Sequence, residues 1–266
     1  MPELPEVQTV VNHLAECITG RSITGTEISW ARSIAVPGVT LFSQQLVGKV
    51  CRAVSRRGKY IVIALAPHGY LLCHLRMSGD LKVADAAAPR SKHERVRILF
   101  EGECELRFDD PRKFGKMYLV ADPEEIVGTL GIEPFSRNFT SEALYERLHQ
   151  RALRVKTLLL DQRCVAGLGN IYAVESLWHA GINPLVRSNK LSKERVVKLR
   201  NAIYEVLRKA VDARGTDLGD GVWKSGGYSP KTYGREGQPC RRCKTVIRRV
   251  IVNQRSTDFC PKCQSR

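Results

Sequence analysis

The chain has 266 residues, of which 43% are hydrophobic, so it can bury a sizeable core and is not intrinsically disordered. Its 43 Lys and Arg against 27 Asp and Glu give a formal net charge of +16 at pH 7, which indicates a polyanionic partner, most simply nucleic acid. No apolar run reaches about 18 residues, and the N-terminus has neither a basic region nor an apolar signal core, so we expect no membrane span and no secretion.

The N-terminal half of the chain is predicted to form one helix followed by antiparallel strands. Apolar residues recur at three- and four-residue spacing over residues 6–18, which predicts an amphipathic helix that ends near Gly20. Four segments then have strand patterns, and the first two flank the turn signal Pro67-His68-Gly69: residues 60–65, 70–75, 95–100 and 105–108. We therefore predict mainly antiparallel β structure up to about residue 130.

Helical patterns dominate the next part of the chain, from about residue 134. Thr140 is placed to cap a helix, with Phe139 and Leu144 spaced for a hydrophobic staple. Residues 192–211 carry apolar side chains on one helical face, and the Gly-, Ser- and Asp-rich stretch 215–234 predicts a loop.

A glycine turn interrupts the helical region. We predict a helix over residues 156–165, a tight turn at Gly167 and Gly169, and a second helix capped by Asn170. Glycines let backbone N–H groups approach an anion, and a helix N-terminus favours negative charge, so a DNA phosphate would fit here. An ordinary packing corner between two helices is the alternative interpretation.

The cysteines fall into two groups. Five are scattered, and we expect them to be reduced, partly buried thiols: Cys17, Cys51, Cys73, Cys104 and Cys164. The other four have the spacing C-x2-C-x16-C-x2-C, which is typical of a zinc ribbon: Cys240, Cys243, Cys260 and Cys263. Four Cys ligands leave no open position, so we predict one structural zinc ion. Residues 231–266 also carry ten Lys or Arg against two acidic residues, which suits a hairpin that meets DNA.

Several sequence motifs occur in a characteristic order: PELPEV after Met1, RRGKY at 56–60, HLRMSG at 74–79, DDPRKFG at 109–115, GLGNIY at 167–172, YGREGQPC at 233–240 and QRSTDFCPKCQ at 254–264. Over essentially the whole chain, this set resembles the formamidopyrimidine-DNA glycosylase family. The resemblance implies an α+β fold of three parts: an N-terminal β-sandwich with flanking helices (residues 1–133), a helix–two-turn–helix domain (134–231) and a C-terminal zinc-ribbon finger (232–266).

The resemblance also implies an activity. It implies a base-excision repair enzyme that removes oxidised purines, such as 8-oxoguanine and formamidopyrimidines, from double-stranded DNA. An associated lyase would cut abasic sites by β,δ-elimination through a Schiff base on the N-terminal proline. We expect a monomer with one zinc ion that acts in the bacterial cytoplasm, at the nucleoid.

The resemblance assigns the catalytic roles to four residues. Once Met1 is removed, Pro2 offers a secondary amine, and because α-amino groups titrate near about 7.7–8.0 part of it is unprotonated at neutral pH. Glu3 is implied as the acid/base, and Glu6 as a supporting residue. Lys59 is implied to contact phosphate near the lesion or to assist proton transfer, and Arg255 to grip flanking phosphates. Without the motifs, Pro2 would be an ordinary first-turn proline and Lys59 a solvent-facing lysine.

The resemblance further implies DNA contacts at His93, Arg112, Arg151, Lys156 and Asn170. A base must leave the stack before it can be excised, and a wedge must fill the gap. Met77, Arg112 and Phe114 match that wedge. Packing of Met77 and Phe114 in the core is the alternative.

The weakest part of the resemblance is residues 214–235. The family has a longer loop there that caps the flipped purine, so Thr216, Gly227 and Tyr228 can be matched to it only in uncertain register. Position 174 is Val where relatives often carry an acid, although Glu175 matches. The short stretch raises a preference for oxidised pyrimidines as an alternative function. A non-catalytic damage-binding homologue is a third interpretation, disfavoured because Pro2, Glu3, Lys59 and Arg255 are all retained.

Overall fold

A computed structural model of the chain describes residues 1–217 and 226–265. The chain divides into two compact units, which are Met1–Thr129 and Leu130–Asp217 together with 226–265. The cysteines predicted to bind zinc belong to the second unit. The three-part domain division stays a prediction.

The N-terminal unit is a helix followed by two sheets and short helical segments. Its elements are α1 (Leu4–Ile18), β1 (Ile23–Ile28), β2 (Ile34–Val36), α2 (Val39–Leu46), β3 (Val50–Arg57), β4 (Tyr60–Ala66), β5 (Tyr70–His74), β6 (Asp80–Asp85), β7 (Glu94–Phe100), β8 (Cys104–Asp109), β9 (Lys116–Val120) and α3 (Glu124–Val127). One sheet has the order β1-β7-β8-β6, and the other has the order β2-β9-β5-β4-β3. All pairs are antiparallel except β2 with β9.

One hydrophobic cluster joins α1 to both sheets. It contains Val7 and Leu14 from the helix, Ile61 from one sheet, and Ile98 and Phe108 from the other. Because side chains alternate between the two faces of a strand, every second side chain enters this cluster, as in a β-sandwich whose two sheets pack face to face. The predicted fold class is therefore confirmed.

The sequence-predicted strands agree closely with those observed. The segments 60–65, 70–75, 95–100 and 105–108 appear as β4, β5, β7 and β8, each within one residue at either end. The helix begins at Leu4 rather than at the predicted Glu6, because Glu3 occupies the N-cap and a proline lies in the first turn.

The second unit is mainly helical and ends in a hairpin. Its elements are α4 (Ser141–His149), α5 (Val155–Leu160), α6 (Asn170–His179), α7 (Lys193–Asp212), β10 (Arg248–Val252) and β11 (Arg255–Phe259). The predicted cap is confirmed: Thr140 Oγ1 accepts a hydrogen bond from Ala143 N at 3.1 Å, and Phe139 and Leu144 are fully buried.

Two predictions about the glycine turn are wrong. The helix predicted over 156–165 ends at Leu160, because Asp161 is extended and its carboxylate and carbonyl accept from Arg163 N at 3.0 Å and Cys164 N at 2.8 Å. Gly169, with an extended backbone, is the N-cap of α6, so Asn170 is its first helical residue and not its cap.

The five cysteines outside the C-terminal group are free thiols, as predicted. Cys17 is half-buried and the other four are buried. Burial raises the pKa of the Cys51 and Cys164 thiols to about 11. Among the residues that the structure describes, no helix combines the length and apolar character needed to cross a membrane.

Candidate functional site

The first turn of α1 fixes the backbone next to Pro2. Pro2 is buried, and the side chains of Glu3 and Glu6 are only 2% and 3% exposed. The backbone N–H of Glu3 donates to Glu6 Oε2 at 2.8 Å, and the carbonyl of Glu3 accepts from Val7 N at 3.0 Å. Since the Glu3 nitrogen follows the Pro2 carbonyl directly, the Glu6 carboxylate helps to set the direction of the Pro2 ring. The supporting role of Glu6 stays a prediction.

The turn between β3 and β4 carries Lys59. Arg57 pairs with Tyr60 across this two-residue turn, and Gly58 has φ +58, a conformation that glycine adopts without strain. Arg56 ties the turn to α1, because its Nε donates to Gln8 Oε1 at 3.0 Å and its Nη1 donates to Gly58 O at 2.8 Å. Lys59 is 6% exposed, so the predicted solvent-facing alternative does not describe it.

His74 is a residue near Lys59 that sequence reasoning did not single out. It lies at the end of β5, and its ring packs edge-on against Tyr60 with centroids 4.6 Å apart. Its Nδ1 accepts from Arg76 N at 3.0 Å. Burial, together with the charges of Arg76 and Lys59, lowers the pKa of His74 to about 3. His74 is therefore neutral at physiological pH, and the available signal was its place in the HLRMSG motif.

The three residues predicted to form the wedge lie on two loops. Met77 is half-buried after β5, and Arg112 and Phe114 lie between β8 and β9. Phe114 is 51% exposed, so it is not a core residue, and the Arg112 guanidinium lies 5.1 Å from the centre of its ring. An exposed phenylalanine can stack against a base, and the arginine beside it can donate hydrogen bonds to one.

His93 lies at the end of the connection from β6 to β7. Its side chain is half-buried, and Nδ1 lies 3.3 Å from Arg95 Nη2. Its carbonyl accepts from Asp110 N at 2.9 Å. The structure therefore brings the His93 backbone to the start of the loop that carries Arg112.

In the second unit, two predicted residues, Lys156 and Asn170, converge on the carbonyl of Ser256, which follows Arg255 in the chain. Lys156 Nζ donates to Ser256 O at 2.9 Å and to Thr257 Oγ1 at 2.5 Å, and Asn170 Nδ2 donates to Ser256 O at 3.1 Å. Lys156 is fully buried, whereas the adjacent Arg255 is exposed. Lys156 and Asn170 thus fix the strand that presents Arg255. Their direct contact with DNA stays a prediction.

The tip of the C-terminal hairpin directly precedes Arg255. Asn253 and Gln254 form a two-residue turn between paired Val252 and Arg255, with φ +50 and +57. Positive φ at both positions is what a type I′ hairpin turn requires.

Arg151 is exposed and forms a separate contact. Its Nη1 lies 3.3 Å from Asp161 Oδ2, and its carbonyl accepts from Ser188 Oγ at 2.7 Å.

Four cysteines form a site with the dimensions of a zinc centre. A Zn–S length of about 2.3 Å places sulfur atoms at tetrahedral vertices about 3.8 Å apart. Cys240 Sγ lies 3.9 Å from Cys263 Sγ, Cys243 Sγ lies 3.4 Å from Cys260 Sγ, and all four sulfur atoms lie within 4.8 Å of one another. Backbone N–H groups face two of the sulfurs at 3.4 Å, as suits thiolate ligands. The predicted site for one zinc ion is confirmed.

Helix α6 anchors the segment that leads into the finger. Glu175 is fully buried, and its two carboxylate oxygens accept from the backbone N–H groups of Lys231, Thr232 and Tyr233 at 2.7–2.8 Å. The Tyr228 hydroxyl adds a fourth hydrogen bond at 3.3 Å. Burial raises the pKa of Glu175, while these four donors oppose the increase. One turn further along α6, Trp178 packs against Cys240, Ile247 and Cys260.

We expect Glu175→Gln to lower the free energy of unfolding by about 1–3 kcal/mol. The NH2 group of the glutamine would point at a backbone N–H group, so two donors would meet and one buried hydrogen bond would be lost. Chemical denaturation at pH 7 would measure the loss. Glu205→Gln is the matched control. Glu205 is 49% exposed and bonds across the surface of α7 to Arg208 at 3.1 Å, so its change should stay within about 0.5 kcal/mol. Equal losses in the two variants would contradict the anchoring role.

The segments on either side of residues 218–225 are held together. Thr216 pairs with Gly227, and the Tyr228 N–H donates to Gly215 O at 2.9 Å. The Tyr172 hydroxyl lies 2.9 Å from Thr216 Oγ1. Within the stretch 214–235 that was compared with the capping loop, residues 218–225 lie outside the described part of the chain, and the register of the match stays a prediction.

Three family models together match most of the chain: the formamidopyrimidine-DNA glycosylase N-terminal domain (residues 1–117), the formamidopyrimidine-DNA glycosylase H2TH domain (130–220) and a zinc finger found in FPG and IleRS (237–266). Formamidopyrimidine-DNA glycosylases from Protochlamydia amoebophila and a Synechococcus strain are 41% and 44% identical. These alignments cover 100% and 99% of both chains, respectively.

Solved structures agree with these matches. A Lactococcus lactis FPG mutant in complex with Fapy-dG-containing DNA has a TM-score of 0.93 at 34% identity, with all of both chains covered. Lactococcus lactis Fpg in complex with abasic-site DNA has a TM-score of 0.92 at 34% identity, with 99% of this chain and 100% of that chain covered. This combination of sandwich, helical unit and four-cysteine finger defines a base-excision repair DNA glycosylase. The chain belongs to the formamidopyrimidine-DNA glycosylase family, whose members are DNA glycosylase/AP lyase enzymes.

Proposed function

We propose that this enzyme excises oxidised purines from double-stranded DNA and then cuts the strand at the abasic site through a Schiff base on Pro2. The buried start of α1 carries the proposal, because Pro2 adjoins Glu3 and the Glu6 carboxylate fixes the backbone between them. Relatives crystallised with DNA containing Fapy-dG or an abasic site support the same lesion class.

The chemistry follows from a secondary amine beside a carboxyl group. The Pro2 nitrogen attacks C1′ of the damaged nucleotide, the base leaves and the sugar ring opens to an iminium ion. Glu3 gives and takes the protons. The iminium makes the C2′ proton acidic, and its removal expels the 3′ phosphate. A second elimination expels the 5′ phosphate, and hydrolysis then frees Pro2.

Cations assist these steps at the phosphates. Lys59 is assigned to the phosphate near the lesion or to proton transfer, on a turn fixed to α1 by Arg56. Arg255 is assigned to the flanking phosphates and to the second elimination, on a hairpin held by Lys156 and Asn170. Bound zinc would keep that hairpin folded through its four cysteine ligands.

Binding of DNA is assigned to the cationic side chains around these groups. His93, Arg112 and Arg151 contact the backbone or the orphaned base, together with Lys156 and Asn170. Met77 and Phe114 fill the gap left by the flipped nucleotide. We further propose a monomer acting on the chromosome in the bacterial cytoplasm, in keeping with the bacterial relatives.

A preference for oxidised pyrimidines is the second candidate, favoured by the short stretch between Thr216 and Gly227. A panel of duplexes with 8-oxoguanine, formamidopyrimidine or thymine glycol distinguishes the two candidates. Under single-turnover conditions, we expect the purine lesions to be excised at least about tenfold faster than thymine glycol, the scale of discrimination that one pocket contact supplies.

A preformed abasic site in the same sequence is the control, because it needs no base recognition. Faster excision of thymine glycol would contradict the purine assignment. Binding without cleavage of any duplex would instead favour a non-catalytic homologue.

A further inference from the structure

Asp110 is a buried carboxylate to which the predicted mechanism gives no role. It follows β8 directly and is fully buried. Its Oδ1 accepts from the Ser78 hydroxyl at 2.6 Å and from Arg112 N at 3.2 Å, and its Oδ2 accepts from Gly115 N at 2.7 Å. The side chain therefore bonds to the loop after β5 and, in the loop between β8 and β9, to the backbone of Arg112 and of Gly115.

The backbone of Asp110 adds a third segment to this junction. Its N–H donates to His93 O at 2.9 Å, and its carbonyl accepts from Arg95 Nε at 2.9 Å. One residue thus joins the segments that carry Met77, His93 and the Arg112–Phe114 tip.

The bases of the two loops also pack without spare room. A Cβ atom on Gly79 would lie 2.5 Å from Leu75 O and 2.9 Å from the Phe108 ring. A Cβ atom on Gly115 would lie 2.2 Å from the same ring. The two glycines therefore let both loops close onto Phe108.

Each loop has a non-glycine residue with a left-handed backbone next to a predicted wedge residue. Arg76 precedes Met77 with φ +57, and Lys113 precedes Phe114 with φ +61. Such conformations persist only where the surroundings fix them. Three hydrogen bonds to one carboxylate supply that restraint, and they do so for both loops at once.

We propose that Asp110 is the positioning residue that holds Met77, Arg112 and Phe114 as one preformed wedge. This inference rests on the proposed function, since it takes those three residues to enter the DNA stack. A carboxylate suits the role because three donors converge on its two oxygens. An asparagine would turn an amide N–H group towards at least one of those donors.

The test compares Asp110→Asn with Asp109→Asn. Asp109 is the adjacent residue, and its carboxylate lies 3.8 Å from Lys82 Nζ. The readout is stopped-flow fluorescence of 2-aminopurine placed beside a stable abasic analogue in duplex DNA, which reports insertion of the wedge whatever lesion the enzyme prefers. Excision of 8-oxoguanine and cleavage of a natural abasic site are measured in parallel.

We expect Asp110→Asn to slow wedge insertion and base excision about 10- to 100-fold, the scale of losses caused by small misplacements. Abasic-site cleavage should stay within about threefold, since an abasic nucleotide needs less help to leave the stack. Asp109→Asn should match the wild type in all three assays. Ser78→Ala, which removes one of the three donors, should slow insertion by a smaller factor and decides the matter if Asp110→Asn does not fold.

Wild-type insertion rates in Asp110→Asn, or in Ser78→Ala where only that variant folds, would overturn the inference. Equal losses of excision and of abasic-site cleavage would also overturn it, because they would indicate a general structural role. A wild-type enzyme that inserts its wedge but excises no purine lesion would contradict the proposed function. Slowed insertion in Asp110→Asn would still support the inference in that case.

Discussion

Protein that retains Met1 will form no borohydride-stable adduct with abasic-site DNA, whereas processed protein that begins at Pro2 will. With Met1 attached, the Pro2 nitrogen is an amide whose lone pair is delocalised into the carbonyl, so it cannot attack a sugar. We expect adduct yield and strand cleavage to fall at least about 10³-fold, as expected for removal of a covalent nucleophile. Denaturing electrophoresis with intact mass analysis would measure both quantities.

Pro5→Ala is the matched control for this experiment. Pro5 lies in the first turn of α1, two residues after Glu3, and its nitrogen is always within the chain. The variant should form the adduct at a yield close to that of the wild type. Efficient trapping by protein whose mass still includes Met1 would show that a residue other than Pro2 is the nucleophile. Lys59 would be the first residue to test.

Replacing a finger cysteine should abolish zinc binding and most DNA binding. The apolar cluster around the four sulfur atoms is small, with Ile247 and Trp178 packed against the cysteines, so we expect the metal to supply much of the folding free energy of the finger. We expect Cys260→Ser to retain less than about a tenth of the zinc and to weaken duplex binding at least about 100-fold, because the hairpin that presents Arg255 would lose the metal that keeps it folded. Metal analysis and fluorescence anisotropy would measure the two effects.

Cys17→Ser controls for the loss of a thiol as such. Cys17 lies on α1 in the N-terminal unit, and its half-buried side chain should tolerate serine with zinc and DNA binding intact. Unchanged DNA affinity in zinc-free Cys260→Ser would show that the folded finger does not contribute to DNA binding.

The sequence predicted local structure well and long-range structure poorly. Periodicity located α1 and α7, and the cysteine spacing alone identified the zinc site. The pairing of β1 with β7 was not predictable, because Ile28 meets Val96 across a long stretch of intervening chain. The β-sandwich was likewise predicted from the ordered motifs and the family that they resemble, and not from the strand patterns.

The site shows the same division between local and distant effects. The motifs marked Pro2 and Glu3 as neighbours in the chain, and the structure adds that the Glu6 carboxylate accepts a hydrogen bond from the Glu3 N–H group. Burial of Lys156 could not be predicted from its neighbours in the sequence, since its partner Ser256 lies 100 residues away. The role inferred for Asp110 likewise depends on Ser78, which belongs to a different motif.

The loop between β8 and β9 has consequences for how this protein can change during evolution. Its ends are fixed at Asp110 and Gly115, whereas Arg112 and Phe114 at its tip face solvent. Exposed substitutions away from such fixed points usually alter stability by less than about 0.5 kcal/mol. Selection can therefore vary the chemistry of the tip almost independently of the fold, while every change at its ends is screened first for stability. If Arg112 contacts the orphaned base, as proposed, a lineage can in this way acquire a new preference for that base by single steps, none of which requires a compensating change in the core.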